Sequence, residues 1–311
     1  MRFAARRIVR FAVSLAVLLV ASFAMIHLIP GDPVRAALGP AAPVELVEAR
    51  RQALGLDRPL PEQFLDYVRG VLGGEFGTSF LTGEQVGDVI AARLPVTLSL
   101  ALIATVVALL VAVPLGMWVA IRTENGRSRG TEAAFTSVTG LAVTVPEFLY
   151  AIGLVSVCAV GLGWFPPAGR EGPESYVLPV IALAIGPAAM IARMCRLETL
   201  RELAGEYVRL ARAKRLPPAR LYVRHLLPNT LTATLTLSGL LLTGLIAGSV
   251  IVEYVFAWPG LGQRIVEAIV QKDYPVAQGV ILVYGVLVLT VNLLVDLALG
   301  ALDPTSRIKE T

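Results

Sequence analysis

Two carboxylates, Glu147 and Asp296, stand inside long apolar stretches where an ionised side chain is expensive. A charge at the centre of a bilayer costs about 2.5–3.5 kcal/mol on insertion scales, so each acid should face a helix interior or a water-filled cavity. Their chemistry is charge recognition, not bond-making. Glu147 belongs to the run Val145-Pro146-Glu147-Phe148, and two roles are open to it. It is either a carboxyl hydrogen-bonded between helices or a lining group that meets an amine in transit. Asn292 and Asp296 lie one helical turn apart on one face, where polar contact between helices is the favoured reading. Pro146, Glu147, Asn292 and Asp296 are therefore the pathway candidates, and no other acid is placed within hydrocarbon.

Motifs that make or break bonds are missing. No G-x-x-x-x-G-K-[ST] occurs, so no P-loop cradles ATP. Neither H-E-x-x-H nor G-x-S-x-G is present, and the two histidines, His27 and His225, are assigned to opposite membrane sides. Cys158 and Cys195 fall at opposite ends of neighbouring spans and should not pair. The chain is expected not to be an enzyme and to hold no metal or cofactor of its own. Its energy must come from a partner.

The elements that position these residues follow from composition. The 311 residues are 56% hydrophobic and 16% charged, with a mean hydropathy of +0.72. So much apolar surface excludes a cytosolic enzyme, a nucleic-acid-binding domain and a disordered chain. A bilayer core of ~30 Å needs about 20 consecutive apolar residues in a helix. Six stretches meet or approach that length: 8–29, 95–121, 133–162, 176–194, 231–256 and 276–302. None alternates with period two, so the reading is an all-α integral membrane protein. Gly186-Pro187 makes the fourth stretch the weakest. The apolar run of the first exceeds the ~7–15 residues of a signal peptide's apolar region, so it is read as a retained helix.

Basic residues set the orientation. Arg2, Arg6, Arg7 and Arg10, then Arg122, Arg127 and Arg129, then the cluster from Arg193 to Arg224, all fall on one side. The short loops opposite hold only Arg170, Arg264 and Lys272. Both termini are thus expected in the cytoplasm.

Two polar segments stand out. In 30–94, Pro30-Gly31-Asp32-Pro33 ends the first helix, and Phe64, Leu65, Val68, Val71 and Leu72 recur at helical spacing. Gly73-Gly74 and Gly77 break that helix, and 86–93 leads into the second span. This segment is a folded cap on the outer mouth, with docking of an external partner a compatible role. In the loop 195–228, Tyr207, Leu210, Ala211 and Lys214 give one less polar face to a short helix that Pro217 stops. Two readings are open: insertion into a groove on another protein, or a basic loop that binds anionic lipid head groups.

Further on, Ser238-Gly239, Gly244 and Gly248 permit close helix approach. The run Phe256-Ala257-Trp258-Pro259-Gly260-Leu261-Gly262 offers an interfacial aromatic anchor in Trp258 and a turn at Pro259-Gly260. An amphipathic run, 264–271, and Asp273-Tyr274-Pro275 follow.

Taken in order, Pro30-Gly31-Asp32-Pro33, Leu54-Gly55-Leu56-Asp57-Arg58-Pro59-Leu60, Gly74-Glu75-Phe76-Gly77-Thr78-Ser79 and Arg93-Leu94-Pro95-Val96-Thr97-Leu98 resemble one family. So do the block around Trp258 and the closing Leu302-Asp303-Pro304. The family is the B-type permease subunits of dipeptide/oligopeptide, and nickel, ABC importers. The resemblance implies six transmembrane helices in the type I importer fold and a division into four parts. These are a first helix (1–29), an extracytoplasmic segment (30–94), a five-helix transmembrane domain (95–302) and a tail (303–311).

It also implies roles for residues. Glu206, Tyr207, Arg209, Ala211, Ala213, Lys214, Arg215, Leu227 and Pro228 become the loop that grips an ATPase. Trp258, Pro259, Gly260, Gly262 and Asp273 lie near the outer vestibule. Two positions depart from the family: Arg215 stands where a Gly is expected, and Arg209 where an acid is expected. An Arg takes positive φ less cheaply than Gly, so either the helix continues to Leu216 or Arg215 adds an ion pair to the ATPase.

The implied partners are a homologous second permease, two ATP-binding-cassette ATPases that use ATP and Mg, an extracytoplasmic binding protein and membrane lipid, with no nucleic acid. The implied place is the bacterial plasma membrane, and the implied solute a di- or oligopeptide. Nickel, glutathione or an oligosaccharide through the same fold is the alternative within the class. An ATP-independent secondary transporter or channel is the alternative outside it.

Overall fold

A computed structural model describes residues 2–28, 33–39, 41–53 and 55–302. The break at Pro30-Gly31-Asp32 and the closing Asp303-Pro304 lie outside the described residues. The described chain is helical, and its sheet-like pairing is an isolated bridge between Thr78 and Gln85.

The helices are α1 (Arg2–Leu28), α2 (Pro33–Leu38), α3 (Val44–Ala53), α4 (Leu60–Gly73), α5 (Val86–Thr123), α6 (Arg129–Thr144) and α7 (Glu147–Leu154). There follow α8 (Val177–Leu203), α9 (Glu206–Ala213), α10 (Pro218–Arg220), α11 (Leu227–Val255), α12 (Leu261–Val270) and α13 (Tyr274–Leu302). Wider π turns extend α7 over Val155–Gly161 and join α10 to α11 over Leu221–Leu226.

Four described stretches are long and apolar enough to cross a membrane: Arg6–His27, Val86–Gly126, Pro173–Leu203 and Tyr274–Leu297. The expected third span is a broken pair, α6 and α7, bent by 95°. The expected fifth span falls within α11, which runs unbroken over Leu227–Val255. The expected weak point at Gly186-Pro187 does not break α8, which runs continuously through Pro187.

The chain forms two compact units. The first comprises Met1–Leu98 and Ala257–Leu293, and the second Ser99–Phe256 with Leu294–Thr311. In the first, α4 packs its aromatic side on α1: Phe64 meets Phe23 edge-on at 5.3 Å between ring centroids. Tyr67 Oη donates to Ser22 Oγ (3.1 Å), and Gln278 Nε2 donates to the Ser22 carbonyl (3.1 Å), which ties α1, α4 and α13 together. Burial raises the Tyr67 phenol above its ordinary pKa, and its bond to Ser22 offsets part of that. Gly74 ends α4 in the left-handed region (φ 82), where only glycine pays no Cβ penalty. The expected boundary of the amphipathic helix therefore holds.

The core of the second unit is built from small residues. Ala108, Ala112, Val119, Phe135, Ala184, Ile191 and Ala192 pack into one buried cluster. Gly116 lies so close to the Ala192 carbonyl and to Cys195 that any side chain there would overlap them. Close backbone approach replaces the hydrophobic effect as the means of joining helices that both face lipid.

Candidate functional site

The segment after α8 turns back on itself through a short amphipathic helix. Val208 and Ala211 of α9 are buried with Leu203, Leu221 and Leu226, and Leu216 and Tyr207 pack against them. The inward face thus runs through Val208 and Ala211. Leu210, expected on that face, is 58% exposed and points away with Arg209, Ala213 and Lys214. Leu227 is half-buried and Pro228 exposed where α11 begins.

The helix stops at Ala213 and does not continue to Leu216. Arg215 adopts φ 52, the left-handed conformation that a glycine takes without cost. Its N–H bonds the Arg212 carbonyl (2.9 Å), and the Leu216 N–H bonds the Ala211 carbonyl (3.1 Å). This is the Schellman arrangement, closed here by an arginine where a glycine was expected. Leu216 supplies the apolar contact that usually accompanies it, which offsets the cost of the strained residue.

Polar contacts fix this segment and α8 to their own unit. Arg212 makes a two-pronged pair with Glu124, Nη1 to Oε1 and Nη2 to Oε2, both 2.9 Å. That pair joins α9 to the turn between α5 and α6 and holds the guanidinium above its ordinary pKa. Tyr207 Oη donates to Glu202 Oε2 at 2.5 Å, and burial followed by that carboxylate raises its phenol pKa. Arg196 reaches Glu132 Oε1 (2.7 Å) and Thr123 Oγ1 (3.3 Å) from α8. Glu206 and Arg209 are exposed.

The pathway candidates divide. Pro146 has no N–H to give the Ala142 carbonyl four residues back, and the helix breaks there. Tyr150 Oη bonds that carbonyl instead, at 3.1 Å. Glu147 opens α7 directly after the break, and its carboxylate occupies the space where a Cβ on Gly248 of α11 would sit. Gly248 therefore makes a close approach as expected, although to a side chain. Gly244, one turn earlier, meets nothing within 4 Å. Asn292 and Asp296 are both half-buried on α13.

Glu253 corrects the count of intramembrane acids. It lies in the apolar section of α11, is fully buried, and stands 3.2 Å from Ser249 Oγ. The signal was present as an acid four residues after a serine in an apolar helix, a spacing that puts both on one face.

In the first unit the hairpin 257–273 is a supporting structure. Trp258, expected as an interfacial anchor, has no exposed surface, and Gly260 and Gly262 are buried beside it. Pro259 is half-buried. Asp273 is also fully buried. It accepts from Ser79 Oγ (2.5 Å) and the Phe80 N–H (3.0 Å) and pairs with Arg264 at 3.6 Å. Thr97 Oγ1 accepts the Leu261 N–H (2.9 Å) at the start of α12, and Arg93 reaches the Gly260 carbonyl (3.4 Å). Two separate sequence blocks, 74–79 and 93–98, are thus spent on fixing one hairpin. Among the described residues no group of three His, Cys, Asp or Glu is placed to hold a metal ion.

Comparison with known proteins gives this arrangement a context. The profile of "binding-protein-dependent transport system inner membrane component" matches residues 112–308, and that of its N-terminal part matches residues 1–101. Glutathione transport system permease proteins GsiC of Shigella flexneri serotype 5b and Escherichia coli K12 are each 34% identical over 304 residues, covering 98% of both chains. Among solved structures, an inward-facing MetNI methionine ABC transporter chain aligns with a TM-score of 0.58 at 19% identity, over 69% of this chain and 96% of that one. An amino acid ABC transporter crystallised with histidines aligns at 0.51 and 18% identity, over 69% and 94%. These two likenesses are of fold.

Proposed function

The chain belongs to the binding-protein-dependent transport inner membrane component family, as a multi-pass permease subunit of an ABC importer, and from that premise we propose that it carries short peptides, glutathione included. Membership makes it a non-enzymatic subunit of the inner membrane. It also implies a second permease, ATPases and a substrate-binding protein, and it removes the ATP-independent transporter as an alternative. Glutathione, the alternative solute in the sequence reading, is the substrate printed for the relatives and is itself a tripeptide, which supports a short-peptide cargo. The observation that carries the proposal is relatedness over nearly the whole length of the GsiC proteins.

The mechanism is one of coupled rigid parts. Both termini and α9 face the cytoplasm. Exposed Glu206, Arg209, Leu210, Ala213 and Lys214 meet a groove on the ATPase, while Val208 and Ala211 seat the helix on its own unit. When the ATPases close on ATP, the push on α9 passes to α8 through the buried cluster and to the α5–α6 turn through Arg212–Glu124. The segment 30–94 lies outside and receives the binding protein. Glu147, which opens α7 after the break at Pro146, is the candidate lining residue.

The test is uptake by the reconstituted transporter with ATP inside the vesicle, comparing labelled glutathione, a dipeptide and Ni²⁺. Transport of either peptide in preference to the metal supports the assignment. Transport of the metal alone, or uptake without ATP, overturns it.

A further inference from the structure

A cleft in the first unit opens between α1, α4, the turn 74–80 and the start of α13. It has two adjoining lobes of about 230 Å³ each, joined where Asp66, Tyr67 and Gln278 line both. One lobe also carries His27, Arg58 and Gln63, and the other Glu75, Phe76 and Phe80. Several of these groups are spent on one another. The His27 ring nitrogens stand 3.1 Å from the Phe23 carbonyl and 3.2 Å from Gln63 Oε1. Gln63 Nε2 donates to the Leu56 and Arg58 carbonyls (3.1 and 2.7 Å). Arg58 gives Nη1 to Asp66 and keeps the rest of its fork of N–H groups. Gln278 is only 8% exposed and spends its Nε2 on the Ser22 carbonyl, while among the described residues no donor meets its amide oxygen. The cleft therefore offers guanidinium N–H groups in one lobe and a carboxylate with aromatic rings in the other, with a buried acceptor between them.

Its place in the membrane narrows the occupant. The apolar stretch of α1 ends at His27 and that of α13 begins at Tyr274, and these two are the least buried of the four membrane-crossing stretches. Val13, Val17 and Val20 are exposed on α1, and a spacing of four, three and then seven residues puts His27 on the same face. At 1.5 Å per residue, an apolar track of about 21 Å leads from Val13 to the rim of the cleft, against ~15 Å for half a hydrocarbon core.

We propose that the cleft holds the head group of a phospholipid of the ethanolamine class, with its phosphate on Arg58, its primary ammonium on Glu75 and Gln278, and an acyl chain along Val20, Val17 and Val13. Arginine matches phosphate oxygens with its fork, and an aromatic face such as that of Tyr67 favours a cation beside it. The ammonium also supplies the N–H donor that the Gln278 oxygen lacks. A choline head group has no N–H to give, and a glycerol head group brings no cation to Glu75. The site rests on the chain's place in the membrane and not on which solute it carries.

The experiment uses the complete transporter, with its second permease and ATPases, purified in detergent. It is titrated with an equimolar mixture of dioleoyl phosphatidylethanolamine, phosphatidylcholine and phosphatidylglycerol, and the lipid retained on this subunit is counted by native mass spectrometry. Wild type should retain the ethanolamine lipid about tenfold over the choline lipid, the size of one hydrogen bond to a charged group. Glu75→Gln should remove most of that preference and change choline lipid less than twofold. Arg58→Gln should lower retention of all three lipids severalfold, because each carries the phosphate. Where Arg58→Gln lowers the melting temperature of the complex, Glu75→Gln, which breaks no described contact, decides alone. Equal retention of the ethanolamine and choline lipids by wild type would overturn the proposal, as would an unchanged preference in Glu75→Gln. Millimolar glutathione should leave the ethanolamine lipid in place. Its displacement would assign the cleft to the solute and overturn the proposal too.

Discussion

The phenol of Tyr150 donates to the Ala142 carbonyl at 3.1 Å, the carbonyl that Pro146 deprives of its helical donor. A helix bent by 95° inside a membrane must satisfy its freed backbone groups internally, and here one side chain does so. Tyr150→Phe removes that donor with little change of shape. The expected result is a loss of about 1–3 kcal/mol, read as a lower melting temperature of the detergent-purified complex. An unchanged melting temperature would show that the carbonyl is satisfied some other way.

Arg215 holds a left-handed turn that costs an L-residue roughly 1–2 kcal/mol. Arg215→Gly should therefore stabilise the segment by about 1 kcal/mol or slightly less, since glycine loses more entropy on folding. A β-branched Arg215→Val should destabilise it. Proteolysis rates at the 213–217 turn are the readout, with slower cutting in the glycine variant and faster cutting in the valine variant.

The Arg212–Glu124 pair is partly exposed, and screening by solvent limits its contribution to stability to about 0.2–1 kcal/mol. Its role is geometric. Arg212→Ala and Glu124→Gln should leave membrane abundance near wild type while lowering the ratio of solute moved to ATP hydrolysed severalfold. The charge-swapped double variant should recover part of that ratio.

Asp273 is different because it is fully buried against Arg264, Ser79 and Phe80. Asp273→Ala leaves the Ser79 hydroxyl and the Phe80 N–H without their acceptor and the buried Arg264 with only Glu267 (3.5 Å), at a cost of about 1–3 kcal/mol for each unsatisfied group. The expected outcome is a sharp fall in the amount of folded protein recovered from the membrane. Asp273→Asn keeps an acceptor for the Phe80 N–H and should fall less.

Much of this was legible in the sequence, because a bilayer makes helical spans conspicuous and turn residues punctuate them. The amphipathic helix before Gly73-Gly74 and the lead-in to the second span at 86–93 are where spacing and glycines put them. The third span reads as continuous in the sequence, yet Pro146 breaks it, while Pro187 leaves α8 unbroken. One proline looks much like another until its neighbours are known.

The larger gaps concern which face of an element is turned inward. Helical spacing groups Tyr207, Leu210, Ala211 and Lys214 equally well, and only the packing of Leu203, Leu221 and Leu226 selects Val208 and Ala211. Trp258 suits an interface by residue type, and its complete burial depends on partners distant in sequence. Glu253 stands near the end of an apolar run, where an acid resembles a helix terminus in the sequence, although the structure buries it fully. The helix does not run on to Leu216, because the packing of Leu216 offsets the cost of the left-handed turn at Arg215, and that packing is not visible in the local sequence.

The central claim is that α9 transmits ATP hydrolysis to the permease, and Leu210 tests it most directly. Leu210 is exposed and lies outside the buried cluster that includes its neighbour Ala211, so a change there leaves the fold of the chain alone. The measurement is solute-stimulated ATP hydrolysis by the reconstituted transporter carrying Leu210→Asp, beside its melting temperature and its basal hydrolysis. The account predicts an unchanged melting temperature and a loss of stimulation of about tenfold or more. Full stimulation in that variant would contradict it.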